Sequence, residues 1–217
     1  MGAPEDPRIT RSRARALEAA AAVFVERGYA GTTMQDVAER ANVAKRTLYN
    51  LYEDKDALFR DTMHRSIATA EKFGESLARG TDAVTDPRVQ LPEIGVRLAE
   101  IVVTTPVLGL RRLILMESER FPDLATEYRR RAPDAVLAAL ARMFDSLIRA
   151  GSIRSGDPTI TAEHFAFLVM GADLDRGTFT GRAVSRRRAR ARARAGVEAF
   201  LRAYALDTES VHRITNA

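Results

Sequence analysis

The 217-residue chain contains no cysteine, which excludes disulfides, thiolate metal sites and cysteine nucleophiles. It also lacks any segment close to the roughly 18 consecutive apolar residues needed to cross a bilayer. Its first residues, MGAPEDPR, carry early acids and no apolar run, so no signal peptide is expected and the chain reads as a cytoplasmic protein. The three histidines, His64, His164 and His212, lie far apart and none sits in a metal-ligating HxxxH spacing. No P-loop, GxSxG or GxGxxG is present, and the carboxylate pairs stand next to cations. No enzyme, metal or cofactor is therefore expected. An alternating β-branched run of useful length is missing as well, so the fold class is all-α.

An apolar content of 46% is enough to bury a core, expected as one small and one larger domain. The net charge of +5 and the pI near 9.9 suit a polyanionic partner without proving one. The placement of the charge says more. Arg8, Arg11, Arg13 and Arg15 form a basic start that could meet phosphates as a flexible arm or a first helical turn. A second run, Arg182, Arg186, Arg187, Arg188, Arg190, Arg192 and Arg194, contains no acid, and without it the chain would be net negative. That run reads as a solvated helix face or connector. The other reading makes the chain a nonspecific basic helical protein of the nucleoid or a membrane surface.

Helical spacing of Leu17, Ala20, Ala21, Phe24 and Val25 marks a helix, with Gly28 at its left-handed end. The stretch Thr32–Phe59, TTMQDVAERANVAKRTLYNLYEDKDALF, then reads as two short helices joined by a tight turn. Thr33 and Asp36 resemble a capping box before Met34–Arg40, and Asn42 is suited to the turn. The second piece, Ala44–Leu51, buries Leu48 and presents Lys45, Arg46, Thr47, Tyr49 and Asn50, with no acid. These are donors for phosphates and base edges, and the whole describes a helix-turn-helix that reads DNA. Asp54 caps a long helix running to about residue 79, and 80–92 is a Gly/Asp/Pro loop. Helices are expected at about 92–104, 106–120, 122–130, 133–150, 158–178 and 185–205, with Pro106, Pro122, Pro133 and Pro158 at their starts.

Thr32-Thr33, Asp36-Val37-Ala38, Ala41-Asn42-Val43, Thr47-Leu48-Tyr49, Tyr52 and Lys55-Asp56-x-Leu58-Phe59, with Gly28-Tyr29 upstream, resemble the signature of the TetR family of bacterial transcriptional regulators. Two positions depart from it: Ala44 stands where a Ser or Thr often caps the second helix, and Arg46 where a small residue is common. Losing a side-chain cap costs about 1 kcal/mol. Further on, Leu113–Tyr128 and 161–179 resemble the regulatory domain of an AefR-like subgroup.

The resemblance implies a tail at 1–9, a DNA-binding domain at 10–62 and an effector-binding and dimerisation domain at 63–217, joined through one stiff helix that could tilt the DNA-reading part. It implies a homodimer on a palindromic operator in double-stranded DNA, acting as a repressor released or altered by a small apolar or aromatic effector, with no membrane partner. Lys45, Arg46, Thr47 and Asn50 then face the major groove, while Thr33, Tyr49, Lys55, Arg11 and Arg13 hold phosphates. Met63, Ile67, Ile101, Leu113, Met116, Met143 and Phe144 are the candidate effector-pocket residues. Phe165, Leu168, Val197, Phe200, Leu201 and Tyr204 lie at or under the expected dimer interface. Glu117, Glu119 and Arg120 could orient a ligand or form surface ion pairs.

Overall fold

The structure, a computed structural model, describes residues 7–79, 86–104 and 107–206. Most of the expected tail, the loop at 80–85, Pro106 and His212 lie outside the described residues. The described chain is helical, and its one β-type pairing is an isolated bridge between Ile153 and Ala205. It forms two compact units: residues 1–69 with 109–128, and 70–108 with 129–217. The segment 109–128, placed in the larger body by the sequence reading, thus packs with the helix-turn-helix.

The first unit holds α1 (Pro7–Arg27), α2 (Met34–Ala41), α3 (Lys45–Leu51), the start of α4 (Lys55–Arg79), most of α6 (Val107–Met116) and α7 (Pro122–Arg129). The basic start is helical from Pro7 onward. Helix α1 buries Ala16, Leu17, Ala20, Val23 and Phe24 on one stripe and stops at Gly28, whose φ of +73° permits its N–H to reach the Phe24 carbonyl at 2.9 Å. Asp54 accepts the Ala57 N–H at 2.7 Å and starts α4.

The second unit is built from α5 (Pro87–Val103), α8 (Ala135–Arg149), α9 (Pro158–Ala166), α10 (Ala172–Thr180) and α11 (Arg186–Tyr204). Phe144, Phe165 and Phe200 meet at its centre with ring centroids 5.2–5.4 Å apart, surrounded by Leu91, Leu98, Val169 and Val197. At Gly196 a Cβ would lie 2.3 Å from the Leu168 carbonyl oxygen, so α11 crosses the 167–171 backbone closer than any side chain allows.

Three helix boundaries differ from the sequence reading. Helix α5 begins at Pro87, because Asp86 caps it by accepting the Arg88 N–H at 2.9 Å, and Pro92 falls inside it. Pro133 starts no helix: it sits in a π-turn, Arg130–Asp134, that runs α7 into α8. A widened turn accommodates the ring and the missing donor. A second π-turn, Phe167–Gly171, joins α9 to α10. The buried residues of that stretch, Thr161, Phe165, Val169, Asp173 and Gly177, repeat every four positions. An α-helix drifts by about 40° at each such step, and the π-turn offsets part of the drift.

Candidate DNA-reading interface

Helix α2 is fixed at its start by the expected capping box: Thr33 Oγ1 accepts the Asp36 N–H at 3.1 Å, and Asp36 accepts the Thr33 N–H at 2.8 Å. It ends at Asn42, left-handed with φ 51° and ψ 51°, which turns the chain into α3. Ala44 gives α3 no side-chain cap. Leu48 is the buried anchor of α3, and Val37, Ala38 and Ala41 are the buried face of α2. Lys45, Arg46, Tyr49 and Asn50 are exposed and Thr47 is half-buried. The Arg46 and Asn50 side chains make no hydrogen bond or ion pair among the described residues, and Lys45 only lies over the Tyr49 ring at 5.9 Å. Two turns of helix therefore offer cations, amide and phenol outward from one apolar pin. Arg11 and Arg13 are exposed on α1, while Arg15 donates to the Asn42 carbonyl at 3.3 Å and ties α1 to the turn.

Thr33 and Lys55, expected on phosphates, have intramolecular work. The Thr33 hydroxyl also donates to Asp36 at 2.6 Å, so both its donors go to the cap. That network holds the Asp36 carboxyl below its usual range, the Thr33 hydrogen bonds being the main cause. Lys55 Nζ donates to the Tyr29 and Thr32 carbonyls, both at 3.0 Å, and stands 4.3 Å from the centroid of the Tyr29 ring. It locks the α1–α2 loop to α4.

Beside Lys55 lies a cluster that the sequence reading missed. Tyr29 donates its hydroxyl to Asp56. Arg120, in the corner between α6 and α7, donates from Nη2 to both Asp56 oxygens at 3.1 and 3.0 Å. Its guanidinium also stands 4.7 Å from the Tyr29 ring centroid and 5.5 Å from that of Phe121. Phe121 packs on Phe59 at 4.8 Å and edge-on to Tyr29 at 5.5 Å. Burial, followed by the Asp56 hydrogen bond, pushes the Tyr29 phenol up to about 12. The Tyr29 hydrogen bond, and then Arg120, hold Asp56 below the ordinary carboxylate range. Arg120 is thus a structural tie inside the DNA-reading unit. The available signal was an arginine–phenylalanine pair before a proline, whose partners 64 residues upstream no local pattern reveals.

Residues 16–62 match the family described as bacterial regulatory proteins, tetR family, and residues 89–206 match the AefR-like transcriptional repressor C-terminal domain. The chain belongs to the TetR family of transcriptional regulators. A TetR-family regulator from Mesorhizobium loti shares 28% identity and a TM-score of 0.78, over 93% of this chain and 100% of that one. The flavonoid-responsive regulator FrrA shares 27% identity and a TM-score of 0.57, over 90% of this chain and 98% of its own. The HTH-type transcriptional regulator BetI of Paraburkholderia phymatum is 28% identical over 166 residues, 67% of this chain and 83% of that protein.

The remaining candidate sites of this TetR-family chain divide between its units. Met63, Ile67 and Leu113 are buried in the DNA-reading unit, where Met116 is 60% exposed. Ile101 is half-buried in the second unit, and Met143 and Phe144 lie in its core. Of the six expected interface residues, Phe165, Val197 and Phe200 are fully buried within one chain, beneath any surface a second copy could touch. Leu201 and Tyr204 are half-buried, Leu168 is 46% exposed, and its neighbour Phe167 is 64% exposed. The arginine run is partly neutralised. Asp173, with a side chain only 2% exposed, receives Arg176 and Arg188 at 3.3 Å and Arg192 at 3.4 Å, and Arg190 pairs with Glu100 at 2.5 Å. No helix among the described residues is long and apolar enough to cross a membrane.

Proposed function

We propose that the protein is a homodimeric repressor that binds a palindromic operator through α3 and loses or changes that binding when a small molecule occupies its larger domain. The observation that carries this reading is the outer face of α3. Lys45, Arg46, Tyr49 and Asn50 point outward from the Leu48 anchor, and Arg46 and Asn50 have no partner within the chain. Arg46 suits guanine O6 and N7, Asn50 suits adenine, and Lys45 and Thr47 complete the groove contacts. Tyr49, Arg11 and Arg13 would hold phosphates, while Thr33 and Lys55 keep α2 and its loop in place. The functional division proposed is 10–62 for DNA and 63–217 for effector and partner.

One recognition helix reads too few base pairs for specificity, and a two-fold dimer reads an inverted repeat. The exposed Phe167 and Leu168, beside the half-buried Leu201 and Tyr204, are the apolar surface we assign to a second copy. The likeness to a flavonoid-responsive regulator supports an aromatic effector, as do the methionines expected to line its pocket.

Selection of binding sites from randomised duplex DNA at near-physiological salt tests the proposal. An enriched inverted repeat, lost when Thr47 and Tyr49 are both changed to Ala, is the expected result. Binding without any enriched sequence, unaltered in that double variant, would overturn it.

A further inference from the structure

We propose that Arg120 is a positioning residue for DNA reading: through Asp56 and Tyr29 it makes operator affinity depend on where the α6–α7 corner is held. The inference rests on the proposed role of α3 and adds a residue outside the helix-turn-helix to its control.

The chain of contacts is continuous within one unit. Asp56 is the second residue of α4, directly after Lys55, and Lys55 fixes the carbonyls of Tyr29 and Thr32. Thr32 precedes Thr33, the cap of α2, and α2 leads through the Asn42 turn into α3. Arg120 joins this assembly from the other side, bonded to both Asp56 oxygens and lying over the Tyr29 ring. Phe121 follows it against Phe59 and Tyr29, and Arg60 reaches back over the Phe121 ring at 4.9 Å while pairing with Asp123. The corner is short and stiff: the Phe121 N–H returns to the Glu117 carbonyl at 2.8 Å. The chain arrives here from Leu108 and departs at Arg129, both in the other unit. A guanidinium fork matches a carboxylate and stacks on a ring together, which an ammonium cannot do. The arrangement therefore transmits the corner's orientation, not merely its proximity.

The test uses the full-length protein and the duplex enriched from the randomised pool. Arg120→Ala, Arg120→Lys, Asp56→Asn and the Arg120→Ala/Asp56→Asn double variant are compared at a temperature where circular dichroism shows each fully folded. Arg120→Ala should weaken operator binding about tenfold, Arg120→Lys should fall between it and wild type, and the double variant should be no worse than Arg120→Ala. Hydrogen exchange should quicken at the amides of 29–33 and 45–51 in Arg120→Ala. Operator affinity within twofold of wild type, or additive losses in the double variant, would overturn the inference. If wild type enriches no duplex, the regulator reading itself fails. Exchange then decides the tie alone, and unchanged protection at 29–33 in Arg120→Ala and Asp56→Asn would refute it.

Discussion

Replacing Lys55 by methionine keeps an apolar stem of similar length and removes the ammonium. The change deletes two hydrogen bonds at 3.0 Å to the Tyr29 and Thr32 carbonyls and the contact 4.3 Å from the Tyr29 ring centroid. Hydrogen bonds from a charged donor contribute about 1.5–3 kcal/mol each when buried. Lys55 is half-buried, and the Tyr29 carbonyl keeps a second donor in the Thr32 N–H at 3.2 Å, so the low end applies. The cation–ring contact adds about 0.5–1 kcal/mol, less what the methionine recovers on the same ring. The expected destabilisation is about 2–3 kcal/mol, which in a chain of this length lowers the thermal midpoint by about 5–10 °C. Differential scanning calorimetry reads the midpoint, and operator binding measured from low to moderate salt reads the second half of the argument. A lysine that neutralises a phosphate would, when removed, reduce the salt slope by about 0.9 per contact. Because this ammonium is committed to carbonyls, the variant should bind more weakly with the slope of wild type. An unchanged midpoint together with a flattened slope would refute the reasoning and return Lys55 to the phosphates.

Asp173→Asn removes the charge on which three arginines converge and should cost about 2–3 kcal/mol, below the range for close buried pairs because the contacts are 3.3–3.4 Å; a calorimetric midpoint equal to wild type would contradict it. Gly196→Ala should lose about 1–3 kcal/mol, since the new methyl must displace the Leu168 backbone; denaturant melts that superimpose on wild type would show that the helices part freely. Arg46→Ala should relax preference at one base pair in each half-site by about 1–3 kcal/mol, read by repeating the site selection. Asp36, Asp56, Asp123 and Glu71 all have lowered folded pKa values. Their stabilisation is therefore present above the ordinary carboxylate range and lost as pH falls through the folded values, so thermal midpoints should drop below about pH 4; a flat profile there would count against these bonds in solution.

The sequence made local features legible. The Thr33–Asp36 box, the left-handed Gly28, the Asp54 cap and the uncapped Ala44 all depend on residues within a turn of one another. So did the exposed set on α3, because a two-turn helix with one buried leucine has only one way to face. Features that depend on distant partners were not legible. Apolar period cannot separate a core from an interface, so Phe165, Val197 and Phe200 were grouped with the exposed Leu168. Lys55 was read by its charge, and only the fold brings carbonyls from the preceding loop to its ammonium. The arginine run looked uncompensated until α10 placed Asp173 beneath it. Neither π-turn has a sequence signal of its own, and Pro133 pointed to a helix start.

The π-turn at Phe167–Gly171 has a bearing on which changes the chain can survive. It carries one more residue than an α-helical turn would need, and one residue is worth about 100° of rotation. Deleting a single residue there would restore an ordinary helix and swing everything after it round by more than a quarter-turn. Asp173 would leave its place under Arg188 and Arg192, and Gly177 would no longer offer its bare face to Leu108. Exposed Phe167 and Leu168 can exchange for many side chains, but their number is fixed: the segment keeps phase as a vernier does, by the count of its divisions.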